Sequence, residues 1–165
     1  MKYITTYESP LGIIIMAGTD RALTALDFAG QLYQPEFGDD YKKKEMPVFK
    51  AAKAWLDEYF SGKEPQTDVP VELHGTSFRQ EVWSVLQKIP YGKTTTYGAI
   101  AAQISARTGK PMSAQAVGGA VGHNPISLIV PCHRVIGSDR SLTGYAGGLD
   151  KKRYLLDLEG ILYKK

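Results

Sequence analysis

The hydrophobic spacing of this chain changes partway along, and that change constrains the fold more than any other feature. Residues 3–7, 12–17 and 22–28 are β-rich runs broken at Ser9-Pro10 and Thr19-Asp20, the pattern of a short meander. From Pro47 the spacing turns helical. Phe49, Ala52, Leu56 and Tyr59/Phe60 fall on one face of a helix over residues 47–60. Proline at its start and Gly62 just past its end fit the usual asymmetry of helix termini. Residues 33–46, with the cluster Lys42-Lys43-Lys44, read as a loop. Residues 63–70, with Pro65 and Pro70, read as a linker, and a domain boundary falls near His74-Gly75.

Beyond that boundary the pattern is mainly helical. Ser77-Phe78-Arg79-Gln80 matches a capping box, and the helix after it buries Phe78, Val82, Val85, Leu86 and Ile89 before Pro90-Tyr91-Gly92-Lys93 ends it. Thr96 caps a short helix over 97–104, and residues 105–111 read as a loop. Ser113 caps a second short helix over 114–121, stopped at Gly122-His123-Asn124-Pro125. Residues 127–130 read as a buried strand-like approach to Pro131-Cys132, and a last helix spans about 150–158 and ends at Gly160. The expected class is α+β. Residues 1–74 form an α/β-type N-terminal domain with an antiparallel sheet and a helix. Residues 75–165 form a mainly helical domain holding a helix-turn-helix.

Charge is distributed along the same division. Residues 1–74 carry 8 Lys+Arg against 12 Asp+Glu, net −4, and residues 75–165 carry 12 against 5, net +7. A basic half suits a polyanion, because phosphate neutralisation releases condensed counterions; a solvated surface with chance asymmetry fits equally well. That half contains the only cysteine, Cys132, within Val130-Pro131-Cys132-His133-Arg134-Val135. One cysteine excludes an intrachain disulfide framework and a multi-cysteine zinc site, and points to a reducing compartment. The N-terminal residues carry no secretory pattern, and the longest apolar run, residues 13–17, is far too short to span a bilayer.

A cysteine attacks as its thiolate and needs nearby positive charge, a helix N-terminus or a base. Pro131 suits the first turn of a helix, which would place Cys132 where the dipole favours negative charge. His133 is a candidate base and Glu159 a candidate orienting group. Adjacent helical residues do not face each other, so a water between Cys132 and His133 fits better than direct contact. The alternative for both residues is ordinary core packing.

The run around Cys132 resembles the active-site signature of the O6-alkylguanine-DNA alkyltransferases, also called methylated-DNA–protein-cysteine methyltransferases. So do, in order, Phe78-Arg79-Gln80-Glu81-Val82-Trp83, Pro90-Tyr91-Gly92-Lys93-Thr94-Thr95-Thr96-Tyr97, Ala116-Val117-Gly118-Gly119-Ala120, Asn124-Pro125, Gly144-Tyr145-Ala146-Gly147-Gly148-Leu149 and Glu159-Gly160. The resemblance covers about residues 77–160; the first 74 are loosely similar to that family's ribonuclease-H-like N-terminal scaffold.

The resemblance implies a single-turnover DNA repair reaction. A methyl or alkyl group passes from the O6 atom of guanine, and from O4-methylthymine, in duplex DNA to Cys132, with the base flipped into a pocket. It implies His133 as a base acting through water, Glu159 orienting His133, Asn124 bracing both, and Tyr97 meeting the guanine ring. Tyr145, Ala146, Gly147 and the carbonyls of Cys132 and Val135 would line the base pocket. Ala114, Gln115, Ala116, Gly119, Thr95 and Arg134 would meet DNA, in the minor groove and without sequence preference. Gln115 stands where the family's usual finger is an arginine. No cofactor and no metal are expected, since residues 1–74 hold no cysteine and one histidine, His74. A cytoplasmic monomer is expected. The rival readings are a non-catalytic damage-recognition protein, a helix-turn-helix DNA-binding regulator and a cysteine hydrolase.

Overall fold

A computed structural model describes residues 1–31 and 37–164 of the chain. These divide into two compact units, Met1–His74 and a second from Gly75 onward.

In the first unit, strands β1 (Lys2–Ser9), β2 (Gly12–Gly18) and β3 (Leu23–Phe28) form the antiparallel meander that the breaks at Ser9-Pro10 and Thr19-Asp20 predict. Gly12 turns the first hairpin at a φ of 99°, a left-handed conformation open to glycine. A short strand β4 (Tyr41–Lys43) pairs in parallel with β1, so the sheet is mixed, in the order β3-β2-β1-β4. The loop reading of 33–46 fails there; the part of it within 32–36 lies outside the described residues. Lysine has weak strand preference, yet an edge strand carries it well because the charges stay in water.

Helix α1 (Pro47–Phe60) packs across β1, β2 and β3. Its Phe49, Ala52, Leu56 and Tyr59 are buried, as are Ile14, Met16, Leu26 and Phe28 of the sheet. Residues 63–72 are not a slack linker. The carboxylate of Glu58 accepts from the backbone N–H groups of Gln66 and Thr67. Beyond them, Leu23 exchanges backbone bonds with Pro70 and Glu72 at 2.9 Å each. The prolines of this stretch fix an extended path that then docks on the sheet edge.

In the second unit, helix α2 (Ser77–Leu86) starts one residue earlier than the capping-box spacing suggests. Thr76 is the N-cap, its hydroxyl accepting from the N–H of Arg79, and Gln80 instead donates to the Gly75 carbonyl. Helix α3 (Tyr97–Thr108) is capped by Thr96 and runs four residues past its expected end, until Gly109 turns left-handed at a φ of 72°. Helix α4 (Ala114–Gly122) is capped by Ser113. The indole N–H of buried Trp83 donates to the Ala120 carbonyl at 2.8 Å, locking α4 to α2.

Residues 127–130 are a coil of tight turns rather than a strand. Ile129 bonds back to Ser127, Val130 bonds back to Ile126, and Leu128 has a φ of 70°. The chain then makes a single 3₁₀ turn (Cys132–Arg134) and enters strand β6 (Val135–Ile136), parallel to β5 (Thr95–Thr96), before helix α5 (Leu149–Leu158).

Candidate active site

Cys132 opens the 3₁₀ turn and is only 5% exposed. One turn of three residues carries almost no macrodipole, so the helix-terminus source of thiolate stabilisation expected from Pro131 is not built.

His133 is fully buried, and its Nε2 lies 2.5 Å from Oε2 of Glu159. Glu159 is the C-cap of α5, with Gly160 left-handed just after it. Its other oxygen, Oε1, accepts from Nε of Arg134 at 2.8 Å and from the backbone N–H of Gly92 at 3.0 Å. Three donors therefore converge on one buried carboxylate, which favours its ionised form. Burial pushes the His133 pKa below its ordinary value, while Glu159 pulls against that shift. A neutral imidazole with its proton on Nε2, directed at Glu159, carries the basic lone pair on Nδ1.

Asn124 braces the approach to the thiol. Its amide donates to the Val130 carbonyl at 2.7 Å, and its oxygen accepts from the N–H of Ile126 at 3.0 Å. These two bonds close residues 124–130 into the coil that delivers Pro131 and Cys132.

Tyr97, the first residue of α3, accepts from the Thr143 hydroxyl at 2.8 Å. Burial raises its pKa, the Thr143 bond opposes the rise, and charge on Cys132 adds to it. The half-buried Tyr145, Ala146 and Gly147 lie in a tight turn closed by the Gly148 N–H on the Tyr145 carbonyl at 2.9 Å. The Cys132 carbonyl accepts from the Val135 N–H. A carbonyl has two lone pairs, so that bond still allows a second donor. Ala114, Gln115, Ala116 and Gly119 are exposed on α4, whereas Val117, Ala120 and Val121 face inward. Thr95 is half-buried in the β5–β6 ladder.

Arg134 needs correction. It is 6% exposed, its guanidinium is held by Glu159 and by the Ile89 carbonyl at 2.8 Å, and it lies over the Tyr91 ring. Two of its guanidinium nitrogens are thus turned inward onto the Glu159 cluster and the Ile89 carbonyl, not outward as a DNA contact requires.

Sequence reasoning missed Lys152. This lysine is 0% exposed and donates to the Val135 carbonyl at 2.7 Å, with the Thr143 and Gly144 carbonyls at 3.3 and 3.4 Å. Its spacing carried a signal: Lys152, Leu155, Leu156 and Glu159 repeat at i, i+3, i+4 and i+7, which puts the lysine on the buried face of α5.

Residues 77–161 match the family model of the 6-O-methylguanine DNA methyltransferase DNA binding domain, and residues 2–73 match that of its ribonuclease-like domain. The chain belongs to the 6-O-methylguanine DNA methyltransferase family. Its relatives include proteins named methylated-DNA–protein-cysteine methyltransferase. The one from Haemophilus influenzae is 43% identical, over 98% of this chain and 88% of its own length. The one from Methanosarcina barkeri is 46% identical, over 95% and 96%. The crystal structure of Mycobacterium tuberculosis OGT in complex with DNA superposes with a TM-score of 0.84 at 44% identity, covering 95% of this chain and 92% of that one. The family's two-domain α+β architecture is the one described above. Among the described residues no helix is long and apolar enough to cross a membrane, and no cluster of three or more His, Cys, Asp or Glu side chains could hold a metal ion.

Proposed function

We propose that Cys132 is the acceptor in a direct-reversal DNA repair reaction, taking a methyl or alkyl group from O6 of guanine in duplex DNA once per protein molecule. The observation that carries this reading is the buried Cys132, His133, Glu159 sequence, with the 2.5 Å bond between the last two. In the reaction the thiol proton passes through a water to Nδ1 of His133, and Glu159 stabilises the imidazolium that forms. The S–C bond forms as the C–O6 bond breaks. Guanine leaves as its anion and takes up one proton, which balances the one lost by the thiol. The Tyr97 hydroxyl and the backbone N–H near Ala146 serve as donors to the leaving base, and the Cys132 and Val135 carbonyls select its exocyclic amine. O4-methylthymine is the secondary substrate.

A base within a duplex must be extruded to reach a buried thiol. Helix α4 is the element suited to the minor groove. Gly119 supports this assignment: a Cβ built there meets nothing within 4 Å. Internal packing therefore does not ask for glycine, although glycine costs about 1 kcal/mol in a helix relative to alanine. A backbone approaching from outside would. Gln115, exposed two residues into α4, fills the vacated stack without the charge an arginine would bring. Binding is sequence-independent, the protein acts as a monomer, and a reducing, cytoplasmic setting keeps the thiol reactive.

Stoichiometry tests this reading. Titrating duplex that carries O6-methylguanine should give conversion that stops at one equivalent of protein and is absent in Cys132→Ser. Conversion continuing past one equivalent, or ester turnover at Cys132, favours a hydrolase instead.

A further inference from the structure

A left-handed arginine stands between the acceptor turn and the pocket loop. Arg140 has a φ of 66°, in a region that residues other than glycine rarely adopt. It lies in a turn over residues 137–141, closed by the Gly137 N–H on the Ser141 carbonyl at 2.8 Å and by the Arg140 N–H on the Gly137 carbonyl at 2.9 Å. Neither bond needs an arginine, and glycine would take this backbone without strain. The side chain is used outside the turn, on the segment that follows α5. Its Nε donates to the Leu162 carbonyl at 3.0 Å, and its Nη2 donates to the same oxygen. The Arg140 carbonyl accepts from the Lys164 N–H at 2.8 Å, and Ser141 forms a parallel bridge with Lys164. Residues 161–164 alternate as a strand does. Ile161 and Tyr163 pack with Ile136, Leu142 and Leu156, whereas Leu162 is 82% exposed. Leu162 thus contributes its carbonyl and not its side chain.

Two residues beyond Ser141, the Thr143 hydroxyl donates to the Tyr97 hydroxyl at 2.8 Å. A phenol that accepts this bond keeps its own proton for another acceptor. The Tyr145-Ala146-Gly147 turn begins two residues later. We propose that Arg140 is a positioning residue that clasps residues 161–164 and so fixes where the loop carrying Thr143 and Tyr145 stands, keeping the Tyr97 proton free for the leaving base. The inference rests on the alkyl-transfer reading above. In its left-handed conformation one residue presents both its guanidinium and its own carbonyl to the same segment, which offsets the strain that a glycine would avoid.

The test compares the full-length parent with Arg140→Gly, Arg140→Lys, Thr143→Ala and the double variant Arg140→Gly/Thr143→Ala. Three quantities are measured: the melting midpoint, duplex affinity, and the single-turnover rate at saturating O6-methylguanine duplex. Arg140→Gly relieves the backbone strain while removing the guanidinium, so its midpoint and duplex affinity should stay close to the parent's. Its transfer rate should fall about threefold to tenfold, as for a slightly misplaced donor. Arg140→Lys keeps one cationic donor and should recover part of that rate. Because Arg140 acts through Thr143, the two losses should not multiply, and the double variant should be within about twofold of Thr143→Ala alone. Parent-like transfer in Arg140→Gly would overturn the proposal, as would losses that multiply in the double variant. So would a rate that falls only in step with duplex affinity, or a collapsed midpoint in Arg140→Gly, either of which marks a residue that only supports the fold. If the parent itself transfers nothing to Cys132, the alkyl-transfer reading fails instead, so the two failures are distinguishable.

Discussion

The two units bury ionisable groups in opposite ways. In the N-terminal unit, Asp27 is the one buried charged residue among those described. Gln31 donates to its Oδ1 at 3.1 Å, and its Oδ2 has no hydrogen-bond partner among the described residues. In the C-terminal unit, His133, Arg134, Lys152 and Glu159 are buried around one cysteine, each with a partner at 2.8 Å or less. Isolated burial neutralises a group: the Asp27 pKa rises to about 7, with desolvation as its cause. In the cluster the charge sits on an ion pair, the Arg134 guanidinium 2.8 Å from the Glu159 carboxylate, while at His133 burial outweighs Glu159 and lowers the pKa. The first arrangement can only cost stability. The second brings an imidazole, a carboxylate, a guanidinium and a lysine together in one buried region that includes Cys132.

The largest expected effect breaks the cluster. Glu159→Gln leaves the Arg134 guanidinium buried without its counter-charge, which should destabilise the C-terminal unit by about 3–5 kcal/mol and slow transfer on the order of a hundredfold. Urea unfolding and single-turnover kinetics check both. A variant as stable as the parent would mean the cluster is not electrostatically coupled. The next effect lies in the other unit. The folded state holds a proton on Asp27 that the unfolded chain releases between about pH 4 and 7, so this group's contribution to stability falls as pH rises through that window and is least favourable above it. Asp27→Asn should remove that slope and raise stability above pH 7 by about 1–3 kcal/mol, after allowing for the amide's own desolvation. Melts across pH 4–8 read it directly, and an unchanged slope would show that Asp27 is ionised in the folded state. Smallest is Gly119→Ala, which should stabilise α4 by about 0.5–1 kcal/mol while weakening duplex affinity. If affinity holds, α4 does not approach DNA closely at that residue.

The sequence carried the parts of this fold that depend on spacing. The meander, α1 and the caps at Thr96 and Ser113 follow from alternation, 3.6-residue periodicity and side-chain oxygens placed before apolar runs. Glu159 could be named as the partner of His133 only as a candidate, since contact between residues 26 positions apart is a property of packing. What misled was composition. Three lysines concealed an edge strand at 41–43, and Ser105 with Thr108 looked like a loop although Ile104 was still a buried helical position. Val130 and its neighbours read as a strand because they are buried, but the Asn124 side chain folds them into turns. The resemblance places Arg134 at DNA, and a lysine on the apolar stripe of α5 gives no sign in composition alone that it is buried, which is why Lys152 escapes a reading from sequence.

The acceptor role of Cys132 is tested most directly by weighing the intact protein after incubation with duplex DNA carrying O6-methylguanine, then mapping the modified peptide. The predicted result is complete conversion to a species with one methyl in place of the thiol proton, located on Cys132 and absent in Cys132→Ser. Unchanged mass with a demonstrably reduced thiol and duplex bound, or a methyl found on any other residue, would contradict it.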